Sequence, residues 1–221
     1  MRIVVLGATG NIGKNVVNQA IQGGHEVVAY VRRPEAVEQR PGLTVIGGGL
    51  TDTDTATKAF TGADVVVCSV GPSLGFSTVF KRVNFMQTNL PPIVAAAKAA
   101  GVKRFVLISA FGVGKTAKKA SFLTRSVYRT AMNSIFTDKD RADATLKASE
   151  LDWTIVYPVN LKETAALPST TIKDLGDVSS VPGLPTLPFS NAAAAILQVA
   201  TDNNYTGRQV LVTTPDGWRS A

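Results

Sequence analysis

Short apolar runs alternate along this chain with segments in which apolar residues recur every three or four positions. The runs are rich in β-branched residues and end at glycine or polar residues, which predicts buried strands. These predicted strands are Ile3–Leu6, Glu26–Val31, Leu43–Ile46, Ala63–Val67, Arg104–Ile108, Trp153–Val156 and Gln209–Thr213.

The segments of helical periodicity lie between these runs. They predict helices from Asn11 to Ile21, from Thr53 or Asp54 as cap to Phe60, over Phe80–Ala97, over Ser126–Ser149 and over Asn191–Ala200. Within the third helix, Pro91-Pro92 is expected to cause a kink or a restart, because proline lacks the amide proton.

Alternation of strands and helices predicts an α/β fold, a doubly wound parallel sheet covered by helices on both faces. The 221 residues contain no internal repeat longer than one strand–helix unit, so we expect a single domain over 1–221. Five of the eleven prolines lie within 158–190. That segment is therefore predicted to be a small irregular region on the substrate side.

A glycine-rich loop, Gly7-Ala-Thr-Gly10-Asn-Ile-Gly13, joins the first strand to the first helix. In this context Gly7 permits a tight turn, Gly10 lets the backbone approach a pyrophosphate, and Gly13 lets the helix pack against the strand. The loop predicts a Rossmann dinucleotide site, the alternative being a glycine turn kept only for packing. The predicted cofactor contacts here are Gly7, Thr9, Gly10, Asn11, Ile12 and Gly13.

The end of the second strand indicates which dinucleotide is bound. NAD-specific sites of this kind place a carboxylate there to hold the ribose hydroxyls. This chain has Tyr30-Val31-Arg32-Arg33 instead. Because guanidinium groups suit a 2′-phosphate, Arg32 and Arg33 favour NADP(H) over NAD(H). The alternative is two solvated arginines at a strand end.

These motifs together resemble those of a known family. The glycine loop, Val31-Arg32 and Ser109-Ala-Phe111 are similar to those of the atypical short-chain dehydrogenase/reductases, in the NmrA-like branch that contains biliverdin-IXβ and flavin reductases. The segments 93–111 and 146–158 extend the resemblance along nearly the whole chain. It implies a Rossmann fold and a nicotinamide cofactor, and it is less specific for the substrate.

The resemblance implies further cofactor contacts at the ends of later strands. After the third strand the family carries Gly-Asp and an apolar residue beside the adenine; here Gly49 replaces the aspartate, Leu50 is the apolar residue, and Asp52 lies nearby. The remaining contacts are expected near the nicotinamide. They are Ser69, Val70, Gly71, Ser109, Ala110 and Pro158.

The superfamily's usual catalytic pair, Tyr-x-x-x-Lys, is missing when it is sought from each tyrosine. The residues four positions after Tyr30, Tyr128, Tyr157 and Tyr205 are Pro34, Met132, Leu161 and Gln209. This gap favours hydride transfer to an acceptor that needs little acid catalysis, such as a flavin, a quinone or a bilin. The alternative is a non-catalytic NADP(H)-binding sensor that acts as a regulatory protein.

Ser109 and Tyr128 are the catalytic candidates. Ser109 ends the fifth strand, where the resemblance places a serine on the substrate side; the alternative is a serine that only caps a turn. Lys139 is also a candidate for the pocket, although the sequence does not place it there. The single cysteine, Cys68, is expected to be a buried packing residue.

The net charge of +7 is unevenly distributed. No acidic residue lies between Asp64 and Asp138, and the rest of the chain has 13 basic and 16 acidic residues. The basic residues of this stretch are Lys81, Arg82, Lys98, Lys103, Arg104, Lys115, Lys118, Lys119, Arg125 and Arg129.

Part of this basic stretch follows the fifth strand and therefore lies near the predicted nicotinamide pocket. We expect Lys118, Lys119 and Arg125, with Phe111, to bind a small, planar, anionic acceptor. The alternative is a solvated surface loop. Nucleic acid is not an expected partner, because the basic stretch has no helix-turn-helix or RNP-like motif.

Composition narrows the remaining possibilities. No apolar run approaches the roughly 18–20 residues of a membrane span, and no signal-peptide core is evident at the start. One cysteine and one histidine argue against an internal disulfide and a zinc site. We therefore expect a cytoplasmic protein without a bound metal, either a monomer or a weak homodimer.

Overall fold

The computed structural model describes residues 1–72 and 83–221. Phe80, Lys81 and Arg82, which the sequence places in the predicted third helix and in the basic stretch, lie outside the described residues. Within these ranges, no helix combines the length and the apolar character that crossing a bilayer requires.

Twelve strands are present in the described chain. In order they are β1 (Arg2–Leu6), β2 (Glu26–Val31), β3 (Leu43–Gly47), β4 (Val65–Cys68), β5 (Arg104–Ile108), β6 (Asp152–Pro158), β7 (Asn160–Lys162), β8 (Thr171–Asp174), β9 (Val178–Ser180), β10 (Thr186–Pro188), β11 (Arg208–Thr213) and β12 (Arg219–Ser220).

Eight of these strands form one sheet in the order β3-β2-β1-β4-β5-β6-β11-β8. Seven of them run parallel, and β8 pairs antiparallel with β11. The predicted Rossmann architecture is thereby confirmed, with an antiparallel edge strand that the sequence did not predict. Because the chain order reverses on either side of β1, the β1–β4 boundary is the switch point where such sheets bind ligands.

Six α-helices accompany the sheet in the described part of the chain. They are α1 (Asn11–Gln22), α2 (Thr53–Phe60), α3 (Phe85–Ala99), α4 (Phe122–Thr130), α5 (Asn133–Lys147) and α6 (Phe189–Thr201). Side chains of α1 and α6 pack on one face of the sheet, and those of α2, α3 and α5 pack on the other. The strands are buried on both faces, as their continuous apolar runs predicted.

The structure corrects three details of the helices. The helix predicted over Ser126–Ser149 is two helices, α4 and α5, separated at residues 131–132. The predicted third helix does not restart at Pro91-Pro92, because α3 continues through both prolines. The cap of α2 is Asp52, whose carboxylate accepts a hydrogen bond from the Thr55 amide at 3.1 Å.

The 158–190 segment contains regular structure as well as loops. Residues within it form β7 and β10, which pair in parallel, and also β8 and β9. An isolated bridge joins Ala120 to Val181, so this segment lies alongside the chain that follows β5.

Candidate cofactor and acceptor site

The glycine loop is shaped by close approaches that exclude side chains. Gly7 has a φ of 80°, and a Cβ there would lie 2.8 Å from the Ser69 Oγ. A Cβ on Gly13 would overlap the carbonyl oxygen of Gly7, so only glycine lets α1 pack this closely on the end of β1. Thr9, Gly10 and Asn11 are exposed at the turn.

The amino terminus of α1 is well suited to bind phosphate. Gly10 is its N-cap residue, no side chain caps the helix, and the first turn contains no acidic residue. The Gly10 amide donates to the Gly7 carbonyl at 2.9 Å, which holds the turn. Uncapped amide groups at the positive end of a helix dipole favour an anion. Ile12 is half-buried and packs against the core below, and it anchors the turn.

A cleft of about 310 Å³ lies beside this loop, between α1 and the chain that follows β2. Its charged lining residues are Lys14, Glu38 and Arg40. Arg40 donates a hydrogen bond to the Asn18 side chain across the cleft. Arg32 and Arg33 are exposed at the carboxyl end of β2 and lie outside this lining.

Lys14 and Arg40 are binding candidates that the sequence analysis missed. Lys14 immediately follows Gly13, so its position in the first turns of α1 was a signal available from the motif. Arg40 had no such signal, because it is brought to the cleft by the path of the chain between β2 and β3.

The loop after β3 lies over Tyr30. The Tyr30 hydroxyl donates to the Gly49 carbonyl at 2.8 Å, and a Cβ on Gly48 would overlap the tyrosine ring. Leu50 is half-buried against the core. Since Asp52 caps α2, its carboxylate is already engaged with the backbone of that helix.

The other predicted contacts lie at the carboxyl ends of β4, β5 and β6. Ser69 donates through its hydroxyl to the Leu6 carbonyl at 2.8 Å, tying the end of β4 to the end of β1. The amide of Ser109 donates to Val156, and that of Phe111 donates to Pro158, at 2.8 and 2.9 Å. Val70 and Phe111 are buried, Ala110 is half-buried, and Gly71 is exposed.

A buried chain of polar side chains runs inward from Ser109. The Ser109 hydroxyl contacts the Asp143 Oδ2 at 3.1 Å, and the Tyr157 hydroxyl contacts the same oxygen at 2.8 Å. Gln209 in turn donates to the Tyr157 oxygen at 2.5 Å. Asp143 is only 2% exposed. Its burial raises the pKa of the carboxyl to about 6, against the opposing hydrogen bonds.

Lys139 lies one helical turn before Asp143 on α5, at the same edge of the sheet. Its amine donates to the Ile108 carbonyl at 3.2 Å and lies 3.9 Å from the position of a Cβ on Gly71. Burial lowers the pKa of Lys139, while the charge of Asp143 acts in the opposite direction. The fold therefore places this amine at the end of β5, where the sequence alone did not.

The four-residue spacing of Lys139 and Asp143 was the signal that could have found this position, because it places both side chains on one face of a helix. Ile135, one turn before Lys139, is buried in the core.

Tyr128, the second catalytic candidate, packs between two aromatic rings. Its ring centroid lies 6.5 Å from that of Phe111 and 5.0 Å from that of Phe136, both in edge-to-face geometry. Burial raises the pKa of its hydroxyl. Cys68 is fully buried, and burial raises the pKa of its thiol to about 11, which confirms the prediction of a packing residue.

The three predicted acceptor-binding cations differ in their surroundings. Arg125 donates to the carbonyls of Ala117, Lys118 and Ala120, at 3.2, 2.6 and 3.3 Å. Lys119 donates to the Val178 carbonyl. Lys118 is exposed. Arg125 and Lys119 thus hold the segment that follows β5 in place through backbone carbonyls. Their positive charges therefore lie beside that segment.

Comparison with known families agrees with this geometry. The profile of a family described as NAD(P)H-binding matches residues 7–203, which include the glycine loop, β5, α5 and α6. The chain belongs to this family. The predicted resemblance to the atypical short-chain dehydrogenase/reductases is thereby confirmed at the level of family and fold.

Two relatives share part of the sequence. The photosystem II assembly factor Ycf39 of Synechocystis is 34% identical over 112 residues, 49% of this chain and 33% of that protein. The chloroplastic protein At2g34460 of Arabidopsis thaliana is 30% identical over 169 residues, 73% of this chain and 59% of that protein. The chain thus spans less than two thirds of the length of these two relatives.

Solved structures share the fold along nearly the whole chain. ChuY, an anaerobillin reductase of Escherichia coli O157:H7, has a TM-score of 0.78 and 19% identity, with 98% of each chain covered. A short-chain dehydrogenase/reductase of Veillonella parvula in complex with NADP has a TM-score of 0.76 and 18% identity, covering 99% of this chain and 96% of that one.

Proposed function

We propose that this protein is an NADPH-dependent reductase that transfers hydride to a planar acceptor, such as a flavin, a quinone or a bilin. The observation that carries the proposal is the pairing of two sites at one edge of the sheet. A phosphate-binding glycine loop lies at the end of β1, and Lys139, with no tyrosine one turn before it, lies at the end of β5.

The described residues fit a dinucleotide. A Cβ at Gly7 or Gly13 would clash with neighbouring atoms, so only glycine fits at either position of the loop. No side chain caps the amino terminus of α1. NADPH, when bound, supplies the hydride. The chain's own part is to bind the phosphates, to orient the ring between the ends of β4 and β5, and to exclude water there.

Positive charge at the adenosine end supports NADPH over NADH. Arg32 and Arg33 follow β2, where an NAD site would carry a carboxylate, and Lys14 and Arg40 line the neighbouring cleft with only Glu38 opposing them. A dianionic 2′-phosphate gains more from these cations than a neutral hydroxyl does.

The missing tyrosine supports an acceptor that does not need strong acid catalysis. Reduction of a ketone or a sugar carbonyl calls for a proton donor beside the forming alkoxide. None of the four tyrosines is followed four positions later by a lysine. The fold shared with an anaerobillin reductase supports a bilin among the candidate acceptors.

Turnover provides the direct test. The purified protein is mixed with NADPH and, in separate assays, FMN, biliverdin or menadione, while absorbance at the nicotinamide band is followed. Enzyme-dependent oxidation with at least one acceptor is expected. Tight NADPH binding without oxidation above background for every acceptor contradicts the proposal.

Tight NADPH binding without oxidation would favour the second candidate, a non-catalytic NADP(H) sensor. The absence of a Tyr-x-x-x-Lys pair from the sequence favours this candidate equally, since a sensor has no need of a catalytic acid. We also propose a single domain over 1–221, a cytoplasmic location and a monomeric or weakly dimeric state. Size-exclusion chromatography with light scattering checks the last of these.

A further inference from the structure

We infer that Ser109 accepts a hydrogen bond from the acceptor instead of donating one, and so selects planar acceptors with a ring N–H beside a carbonyl group. This inference rests on the proposed reductase function. It narrows the acceptor to molecules with a lactam or imide edge, such as flavins and bilins, and disfavours quinones.

The first step is the position of the serine proton. A serine hydroxyl has one proton and two lone pairs, and an ionised carboxylate only accepts. The contact of 3.1 Å between Ser109 Oγ and Asp143 Oδ2 therefore requires that the serine donate whenever Asp143 is ionised. The side of Ser109 Oγ away from Asp143 then offers lone pairs only.

The second step is that neighbouring groups hold this direction. Tyr157 also donates to Asp143 Oδ2, at 2.8 Å, and Gln209 donates to the Tyr157 oxygen, at 2.5 Å. In this network the hydroxyl protons of Ser109 and Tyr157 point to Asp143, and an amide proton of Gln209 points to Tyr157. The network is buried, with Ser109 only 5% and Asp143 only 2% exposed, so water does not easily reorganise it.

The third step is the neighbour that Ser109 has at the end of β5. Lys139 donates to the Ile108 carbonyl at 3.2 Å; burial lowers the pKa of its amine, and the charge of Asp143 opposes that shift. An ammonium group only donates. A donor on Lys139, which bonds the carbonyl of the residue before Ser109, and an acceptor on Ser109 match the C=O and N–H groups of a lactam or imide. A quinone, whose polar atoms are carbonyl oxygens, satisfies only Lys139.

Protonation of Asp143 would reverse the polarity of Ser109. Below its pKa of about 6 the carboxyl can donate to Ser109 Oγ, and the serine hydroxyl is then free to donate into the site. The other groups that influence the pKa of Asp143 come from its own helix, from the end of β5 and from β6. They are Lys139, Lys147, Ser109 and Tyr157, with Asp140 acting on Tyr157.

A pair of flavins that differ in one N–H tests this inference. Oxidised lumiflavin and 3-methyllumiflavin are titrated into the protein–NADP⁺ complex, and binding is followed by quenching of flavin fluorescence. At about pH 7.5 the wild type should bind lumiflavin about 5- to 10-fold more tightly, the effect of one hydrogen bond. In Ser109→Ala the two affinities should be equal.

A buried control and a titration variant complete the experiment. Ser149→Ala, which removes a buried hydroxyl that donates to the Leu146 carbonyl and accepts from the Leu151 amide, should keep the discrimination. The discrimination of the wild type should disappear as the pH falls to about 5, while Asp143→Asn should show no such pH step. Equal affinity of the wild type for both flavins at about pH 7.5, or no lumiflavin binding, would overturn the inference.

This outcome is separable from that of the proposed function. Discrimination between the flavins without any NADPH oxidation supports the polarity of Ser109 and overturns the reductase proposal. Rapid NADPH oxidation by menadione, with no preference between the flavins, supports the reductase and overturns the polarity.

Discussion

The two ends of the candidate site are formed by different parts of the polypeptide, backbone at one end and side chains at the other. The adenosine end is formed by backbone, with Gly7, Gly10 and Gly13 within seven consecutive residues and helix amides aimed outward. The acceptor end is formed by side chains from β5, α5, β6 and β11 that meet in a buried network. We therefore expect the backbone of the first end to bind the pyrophosphate common to both dinucleotides, and the side chains of the second end to distinguish among acceptors.

Charge is also handled differently at the two ends. Arg32 and Arg33 are exposed, so water and salt screen them and their effect on a ligand is moderate. Lys139 and Asp143 are held near each other in a poorly hydrated site, where burial shifts the pKa of both. Substitutions at the two ends should therefore differ in what they change, binding at one end and rate at the other.

The largest effect is expected from Gly13→Val. The new side chain overlaps the Gly7 carbonyl, so α1 must move away from β1 and the phosphate site opens. NADPH affinity should fall by about 100-fold or more, with a lower Tm, measured by fluorescence titration and thermal unfolding. Gly24→Ala is the control: its φ of 76° makes alanine strained, so Tm should fall, but a Cβ there meets nothing within 4 Å and NADPH affinity should be unchanged. Unchanged NADPH affinity in Gly13→Val would refute the backbone-built site.

Lys139→Met tests the acceptor end. Loss of the amine beside Ile108 should lower kcat by about 100-fold, while the Kd for NADPH changes much less. Stopped-flow kinetics separate the two quantities. Lys147→Met, an exposed lysine two turns later on the same helix, should retain its rate. A purely structural role for Lys139 would instead lower Tm and leave kcat intact.

Arg32→Ala tests the choice of cofactor. Removing one guanidinium from a 2′-phosphate should weaken NADPH binding by about 10-fold and NADH binding by less than about twofold. Isothermal titration with both dinucleotides measures the ratio. Equal losses for NADPH and NADH would contradict the assigned role.

The smallest effect is expected from the double substitution Lys118→Ala and Lys119→Ala. Weaker attraction of an anionic acceptor should raise the KM for FMN about two- to threefold at low salt and very little at high salt. Lys98→Ala is the control, since Lys98 forms an exposed ion pair with Glu150. If the double variant and the wild type have the same KM for FMN at both salt concentrations, these two lysines do not attract the acceptor and belong only to the solvated surface.

Local sequence patterns predicted the glycine loop between β1 and α1, while its contacts with a dinucleotide stay a prediction. The glycine loop is one contiguous motif between a strand and a helix, and its steric demands involve neighbours such as Gly7 and Gly13. The continuous apolar runs likewise predicted seven strands of the sheet, because strands buried on both faces need apolar residues at every position. Helix boundaries were less accurate, since the break between α4 and α5 depends on packing after β5.

The sequence by itself determined the fold class and the membership of an NAD(P)H-binding family, and it predicted the edge of the sheet at which a site is expected. Only the tertiary structure decided which polar side chains meet there. Ser109, Lys139, Asp143, Tyr157 and Gln209 are spread over a hundred residues, and their contacts arise because β5, β6 and β11 are neighbours in the sheet with α5 packed across them. Their proton positions and shifted pKa values follow from burial, which no local pattern specifies.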